Sequence, residues 1–568
     1  MKLIINNEKG NSLLLVLVII ILFSILGLLL TSLTTNGIAK NENRENTVQA
    51  QDLSDKGSEF LLNDINQFLT KEVNKGIYGK DAFLNLLITT LSNNSYKCPI
   101  DGVKNPDEFG VTIPGENASK TNVCIKGSPR MISSDEKDLY KREVDIISTG
   151  FVDGKKHITK VTAIIGTDAV PDQLRYALST NDGGNLYLHG GVEIQGDIKT
   201  DGHLILSDRA TWFSGSTAKW QPSVRTTVLK DKKSATPKLI MREKDNNANK
   251  LVYILKENKS VAYDDHVSGN KLNNDNYTKF DPNDLTKHQS ITDSFFNSNT
   301  LKVTTKTLPS DTIEITDNII SSYSTAKKKS SFLSITNNNH DAKNFNKKDV
   351  FFVGEQYTQC SQWSGNWWNQ YCSKYETKYR NGDLTISPNS KININLSGTY
   401  YVYGDVKIDN VNLKSDAIIY VNGSVNIKDS TINGISDKST LLIFSNGEIN
   451  ISNISVDSEI NKGSTIKGFF YSKSNLIMYG VGSNITLNGG ISAKRLILTA
   501  VRGKADNNTF DTASTQGILK TDGTPLKDSR LNIIYDENII SEYTSFKRDE
   551  EEEFITQIND PVIINRTN

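Results

Sequence analysis

Three octads decide how most of this chain folds: Tyr401–Ile408 (YVYGDVKI), Tyr420–Ile427 (YVNGSVNI) and Phe444–Ile451 (FSNGEINI). Each opens on an aromatic residue, places glycine three residues later (Gly404, Gly423, Gly447) and closes on V-x-I or I-x-I. A β-x-β pair points two side chains to the same side of one strand, and glycine permits the turn before it. Tyr187–Ile194 (YLHGGVEI, with Gly190) reads as a further copy, and Tyr471–Met478 (YSKSNLIM) as a degenerate one with Ser474 in the glycine place. A period near twenty residues is the signature of stacked coils in a parallel β-solenoid, where each coil is too thin to bury its apolar face alone. Asn422 with Asn446, and Asn426 with Asn450, occupy equivalent places and are expected to form side-chain ladders. The competing account is a β-sandwich with coincidental similarity between the copies.

The first copy precedes the second by some two hundred residues, so the simplest arrangement is one solenoid interrupted by an insertion over 207–382. That insertion is rich in Lys, Asn and Ser and contains a hairpin pattern at Lys250–Tyr263. It also holds Cys360 and Cys372, which enclose Trp363, Trp367, Trp368 and Tyr371. These aromatics form a candidate ligand patch, able to stack on sugar rings or to anchor a protein. The competing account is a hydrophobic plug that ties the insertion to the solenoid. The other two cysteines are Cys98 and Cys124. No CxxC occurs and no His lies beside a Cys at ligand spacing, so the expectation is two local disulfides rather than zinc.

The 568 residues carry 65 Lys+Arg and 65 Asp+Glu, a formal charge of zero, which gives no reason to expect nucleic acid. The N-terminal region differs from the rest. Leu13–Leu30 (LLLVLVIIILFSILGLLL) is uncharged and long enough, as a helix, to cross a bilayer core. Lys2 and Lys9 before it predict an N-terminus inside and the bulk outside. There is no proline before Pro99 to stop a long helix, and Leu53, Phe60/Leu61, Ile65 and Phe68 recur at helical spacing. Further on, Glu143–Ile165 alternates about Asp153-Gly154, a hairpin signature. A plain signal anchor and a secretory peptide cleaved near Gly37-Ile38-Ala39 remain rival readings of the apolar run.

The segment KGNSLLLVLVIIILFSILGLLLTSLTTNGIAKNENRENTVQAQDLSDKGSEFLLNDI resembles the N-terminus of PilX-type minor pilins over about the first 70 residues. The resemblance implies cleavage by a prepilin peptidase between Gly10 and Asn11 and a retained helix that packs with other pilins or assembly components. It also implies a site in the cell membrane or a surface pilus. Major pilins carry Glu where this chain has Leu15, which argues against a bulk filament subunit.

The expected class is therefore α+β: leader 1–10, transmembrane and amphipathic helix 11–70, pilin-like α/β head 71–170, first solenoid coil 171–206, insertion 207–382, right-handed parallel β-solenoid 383–500 and cap or tail 501–568. No HExxH, G-x-S-x-G, Walker or Rossmann pattern occurs. The six histidines (157, 189, 203, 266, 288, 340) are scattered and read as surface or turn positions. A β-helical polysaccharide lyase or hydrolase needs paired carboxylates. Asp405, Asp409, Asp416, Asp429 and Glu448 sit at turns and do not recur as an inward pair. The expectation is a non-enzyme with no cofactor and no metal, whose partners are pilins, the peptidase, membrane lipid and a surface carbohydrate or protein.

Overall fold

The computed structural model describes the chain except for residues 1–7, 76–77, 100–109, 115–118, 134–137, 168–170, 215–216, 231–235, 243–250, 257–258, 260–271, 273, 283–300, 307–312, 314, 325, 338–345, 381, 454–462, 506–509, 519, 521–525, 547–553, 556–557 and 568. It divides into two compact units, Met1–Ala169 with Glu552–Asn568, and Val170–Glu551.

In the first unit a single helix, α1, runs from Glu8 to Lys75. Its first half is apolar all round, and Leu13–Leu30 leave their large side chains 43–73% exposed. Hydroxyls there bond back to the helix itself, as with Ser24 Oγ to the Ile20 carbonyl (2.8 Å) and Thr31 Oγ1 to that of Gly27 (2.8 Å). Such bonds satisfy these hydroxyls within the helix, as an apolar surrounding demands. The second half buries Leu61, Ile65, Leu69 and Val73 against Val123, Ile125, Ile146, Val161 and Ala163. Those residues belong to a five-stranded antiparallel sheet in the order Val111–Pro114, Lys120–Arg130, Lys141–Val152, Lys155–Gly166, Val562–Thr567. The expected apolar stripe needs correcting. Phe60 and Phe68 are 47% and 41% exposed, while Ala50, Ser54 and Ser58 are buried in their place. Ser54 Oγ donates to the Ser148 carbonyl (2.8 Å) and accepts from Thr159 N (2.9 Å), so helix and sheet meet through small and polar residues. The hairpin turns at Asp153 (φ 42°) and Gly154 (φ 75°) as its signature predicts. A second helix, α2 (Lys80–Leu91), adds Phe83, Leu87 and Leu91 to the same core.

The second unit is built of parallel ladders. In the first, Tyr401 pairs with Tyr420, Tyr420 with Phe444 and Phe444 with Tyr471. In the second, Val406 pairs with Val425, Val425 with Ile449 and Ile449 with Leu476. The third joins Leu413 to Ile432, Ile432 to Ile466 and Ile466 to Leu487. An octad is thus the corner at which the chain leaves the first ladder and enters the second. Its Val/Ile pair points inward, with Val406, Ile408, Val425, Ile427, Ile449 and Ile451 all at most 1% exposed. The opening aromatics stack on the outside, Tyr401 on Tyr420 at 5.2 Å and Tyr420 on Phe444 at 5.4 Å between centroids.

The corner glycines serve close approach rather than an unusual backbone. Gly423 N donates to Gly404 O (3.0 Å) and Gly447 N to Gly423 O (2.9 Å), which brings successive corners into contact. A Cβ on Gly423 would lie 2.2 Å from Asp405 Oδ1 and 2.6 Å from Gly404 O. Gly423→Val is therefore expected to cost about 2–3 kcal/mol in thermal unfolding. Gly482→Ala, where a Cβ meets nothing within 4 Å, should be close to neutral. The Asn422–Asn446 ladder is present at 3.1 Å. Asn426 and Asn450 are in register, but the Asn450 amide bonds Glu448 instead.

The chain order of the ladders overturns the expected insertion. Thr227–Leu229, Lys238–Arg242, Lys302–Lys306, Lys328–Ser330, Leu333–Ile335 and Val350–Val353, all within 207–382, are rungs of the parallel ladders. Val252–Leu255, the first arm of the expected hairpin Lys250–Tyr263, is also a rung and pairs with Leu204–Leu206 and Tyr277–Phe280, while most of the second arm lies outside the described residues. Tyr187–Ile194 occupies a different corner from the other octads. Tyr187 aligns with Ile497 in the second ladder, and Ile194 with Ile533 in the third. Leu178, the first rung in sequence, lies on Ile491, near the end of the later winding. The stack therefore begins at Lys328, winds to Tyr535, continues with 178–207 and ends at Lys302–Lys306.

Between 306 and 328 the chain must cross some ten rungs, roughly 48 Å at about 4.8 Å each. Its described residues mark the path. Ile313 N donates to Tyr471 Oη (3.0 Å), Thr316 Oγ1 accepts from the Asn446 amide (2.7 Å) and the Tyr323 ring meets Phe352 (4.7 Å). This strap covers the outer aromatics together with the helix Asn538–Ser545. Within 501–568, Leu531–Tyr535 is a rung, whereas Val562–Thr567 belongs to the sheet of the first unit.

Glu542, on the covering helix, is 4% exposed and shares Lys347 with Asp416 (2.8 and 2.9 Å). Burial, then the bond to Asp416, pushes its carboxyl up to about 7 against the opposing pull of Lys347. The Thr440 amide donates to Glu542 (3.4 Å), and the Phe546 ring lies under the Lys347 ammonium (4.6 Å). A carboxyl raised in the fold favours the protonated state. Stability from this group is thus complete below about pH 4.5, falls as pH rises to about 7 and is level above. Thermal unfolding across that window should show a loss on the order of 2 kcal/mol that Glu542→Gln abolishes.

Candidate binding hairpin and apolar helix

Glu355–Ser364 and Tyr371–Arg380 leave the stack as an antiparallel hairpin between the rungs Val350–Val353 and Leu384–Ile386. Its base is fixed. The Tyr379 ring lies against Tyr323 (5.3 Å), Tyr403 (5.6 Å) and Phe352 (5.9 Å), and Arg380 pairs with Glu355 (3.2 Å). Burial raises the Tyr379 hydroxyl above its ordinary value, so it stays neutral. Beyond the base both faces of the ribbon are open to solvent. A two-stranded ribbon is marginal by itself, and the Cys360–Cys372 disulfide closes it.

At the tip Gly365 takes φ 103°, and a Cβ there would stand 2.1 Å from Asn369 O, so only glycine fits. Trp363 is 63% exposed, Trp367 and Trp368 74%, and Tyr371 62%. The Trp367 and Trp368 rings lie 3.8 Å apart at 43°. The plug account of these aromatics is therefore wrong: they belong to none of the cores of the ladder unit. Tyr375, 64% exposed, extends the patch and was missed because it lies outside the disulfide loop.

The second pair, Cys98–Cys124, is also a disulfide and ties the segment after α2 to the strand Lys120–Arg130. Gly10 and Asn11 lie in the first turns of α1, and 1–7 fall outside the described residues. The acids of the parallel ladders are engaged in holding corners. Asp405 Oδ1 accepts from Ser424 N (2.7 Å), as Asp383 does from Asp405 N (2.8 Å). Asp409 pairs with Lys407, Glu448 binds Asn450 and Asn475, and Asp429 holds a positive φ. His189 is not at the surface as expected. It is fully buried in Leu186–Gly190, and burial lowers its pKa to about 3. His203 Nδ1 accepts from Leu251 N, and 266, 288 and 340 lie outside the described residues. Among the described residues no three His, Cys, Asp or Glu side chains converge as a metal site. The helix through Leu13–Val73 is long and apolar enough to cross a membrane.

No protein-family model matches this chain, and no curated protein matches it. Among solved structures, the crystal structure of the competence-associated pilin ComZ from Thermus thermophilus matches at 9% identity, covering 92% of this chain and 98% of that one, with a TM-score of 0.25. A superposition that loose defines neither a shared fold nor a shared role.

Proposed function

We propose that this chain is a minor-pilin-like surface protein, held by a retained N-terminal helix and acting in pilus assembly or surface adhesion without catalysis of its own. One observation carries the reading: α1 passes without a break from an exposed apolar half to a half seated in the sheet of the first unit. A cleavable signal needs no such continuity, whereas a spike that packs beside other helices does. On this reading the N-terminus is cytoplasmic and the bulk external, as the lysines before the apolar run favour. The parallel ladders are then successive coils of one β-solenoid, right-handed as parallel connections almost always are.

Intact mass or N-terminal sequencing of the native protein tests the reading. A chain beginning at Asn11 supports it. A chain beginning at Met1 reduces it to a membrane-anchored surface protein without pili, and one beginning at Lys40 removes the anchor altogether.

A further inference from the structure

We infer that the tip of the hairpin, 361–373, is a binding site for a neutral glycan chain. The inference rests on the hairpin alone and stands whether or not the pilus reading does. The tip reads SQWSGNWWNQYCS, with three Trp, one Tyr, four Asn/Gln and three Ser, and with no charged residue and no aliphatic one. Its aromatic rings are 62–74% exposed on a ribbon whose base is locked and whose loop is closed by a disulfide.

Each absence excludes an occupant. No cation or carboxylate lies in 361–373, and the exposed Lys374 opposite Gln362 is a single charge, so an anionic polysaccharide or a phosphorylated surface has no cluster of partners at the tip. Without Leu, Ile, Val, Met or Phe, the tip lacks the aliphatic surface that would accompany Trp in lipid. Its amides at Gln362, Asn366, Asn369 and Gln370 would also lose their hydrogen bonds in hydrocarbon. A pyranose has what remains. Its C–H face stacks on indole or phenol, and its hydroxyls both donate to and accept from amides. Pre-ordering by the disulfide lowers the entropy lost on binding.

The full chain, purified in a polyoxyethylene detergent that carries no sugar, is incubated with microcrystalline cellulose, chitin and calcium alginate beads. Retention on cellulose or chitin, absent on alginate and displaced by cellohexaose or chitohexaose, is the expected result. Trp367→Ala with Trp368→Ala should weaken retention by about tenfold or more with unchanged thermal unfolding, and Trp367→Phe with Trp368→Phe should restore most of it. Absence of retention on both neutral polymers overturns the inference. So does retention that ignores the Trp pair, or a Trp-dependent association confined to phosphatidylcholine vesicles or to a second copy of the chain.

Discussion

A chain carrying Ile20→Arg and Leu22→Arg is expected to lose its hold on the membrane. Both side chains are more than half exposed on α1, with no protein surface to shelter a charge. Each arginine near the middle of an apolar span disfavours insertion by about 2.5–3.5 kcal/mol, so the pair outweighs most of what eighteen apolar residues contribute. Alkaline extraction of membranes reads the outcome: the native chain should stay with the lipid and the double variant should be released. The ladder unit, separate from α1, should unfold at an unchanged temperature. Equal retention of both proteins would mean that Leu13–Leu30 is not what holds this chain in place.

The second large effect concerns the seam where the early and late windings meet. Ile491 is fully buried, between Phe470 on one rung and Leu178 on the next. Ile491→Asp sets an unpaired carboxyl in that core, at about 4 kcal/mol or more. In a ladder where each rung pairs only with its neighbours, a defect in the middle divides the whole, while one at an end only frays it. Ile335, just as buried, lies on a rung at the starting end. Ile335→Asp should therefore leave the central rungs protected in hydrogen exchange. Ile491→Asp should split the transition and open 178–306 to protease. If the two variants behave alike, the order of rungs described above is mistaken.

Much of the ladder was legible because its signal is local. The aromatic, the glycine and the Val/Ile pair of 401–478 all act within one corner, and a corner repeats its demands at every turn. Stacking order is not local. The corner pattern of YLHGGVEI satisfies the same steric needs in a different place, so likeness of sequence misassigned its position. Rungs such as Thr227–Leu229 or Leu333–Ile335 are three residues long, too short for alternation to register, and so 207–382 read as inserted. The helix–sheet contact was missed for a related reason. Gly57 and Gly150 permit an approach in which a Cβ would meet Thr121 Cγ2 at 2.3 Å and Ala50 O at 2.1 Å, and counting apolar residues does not see small ones. The Trp cluster was found, but whether it faced inward or outward depends on a ribbon geometry that composition does not contain.

The edge strand Val562–Thr567 has a consequence for biogenesis. It lies along Lys160–Ile164, and Arg566 reaches back to Glu59 on α1 (3.0 Å). Ile558, just before it, is buried in the same core as Leu61. The first unit thus waits for residues translated after everything in 170–551. A ribosome that stalls midway releases a product whose first-made sheet still shows a raw border, ready for a protease or chaperone to recognise. Completion of the sheet made first is in this way tied to the residues made last.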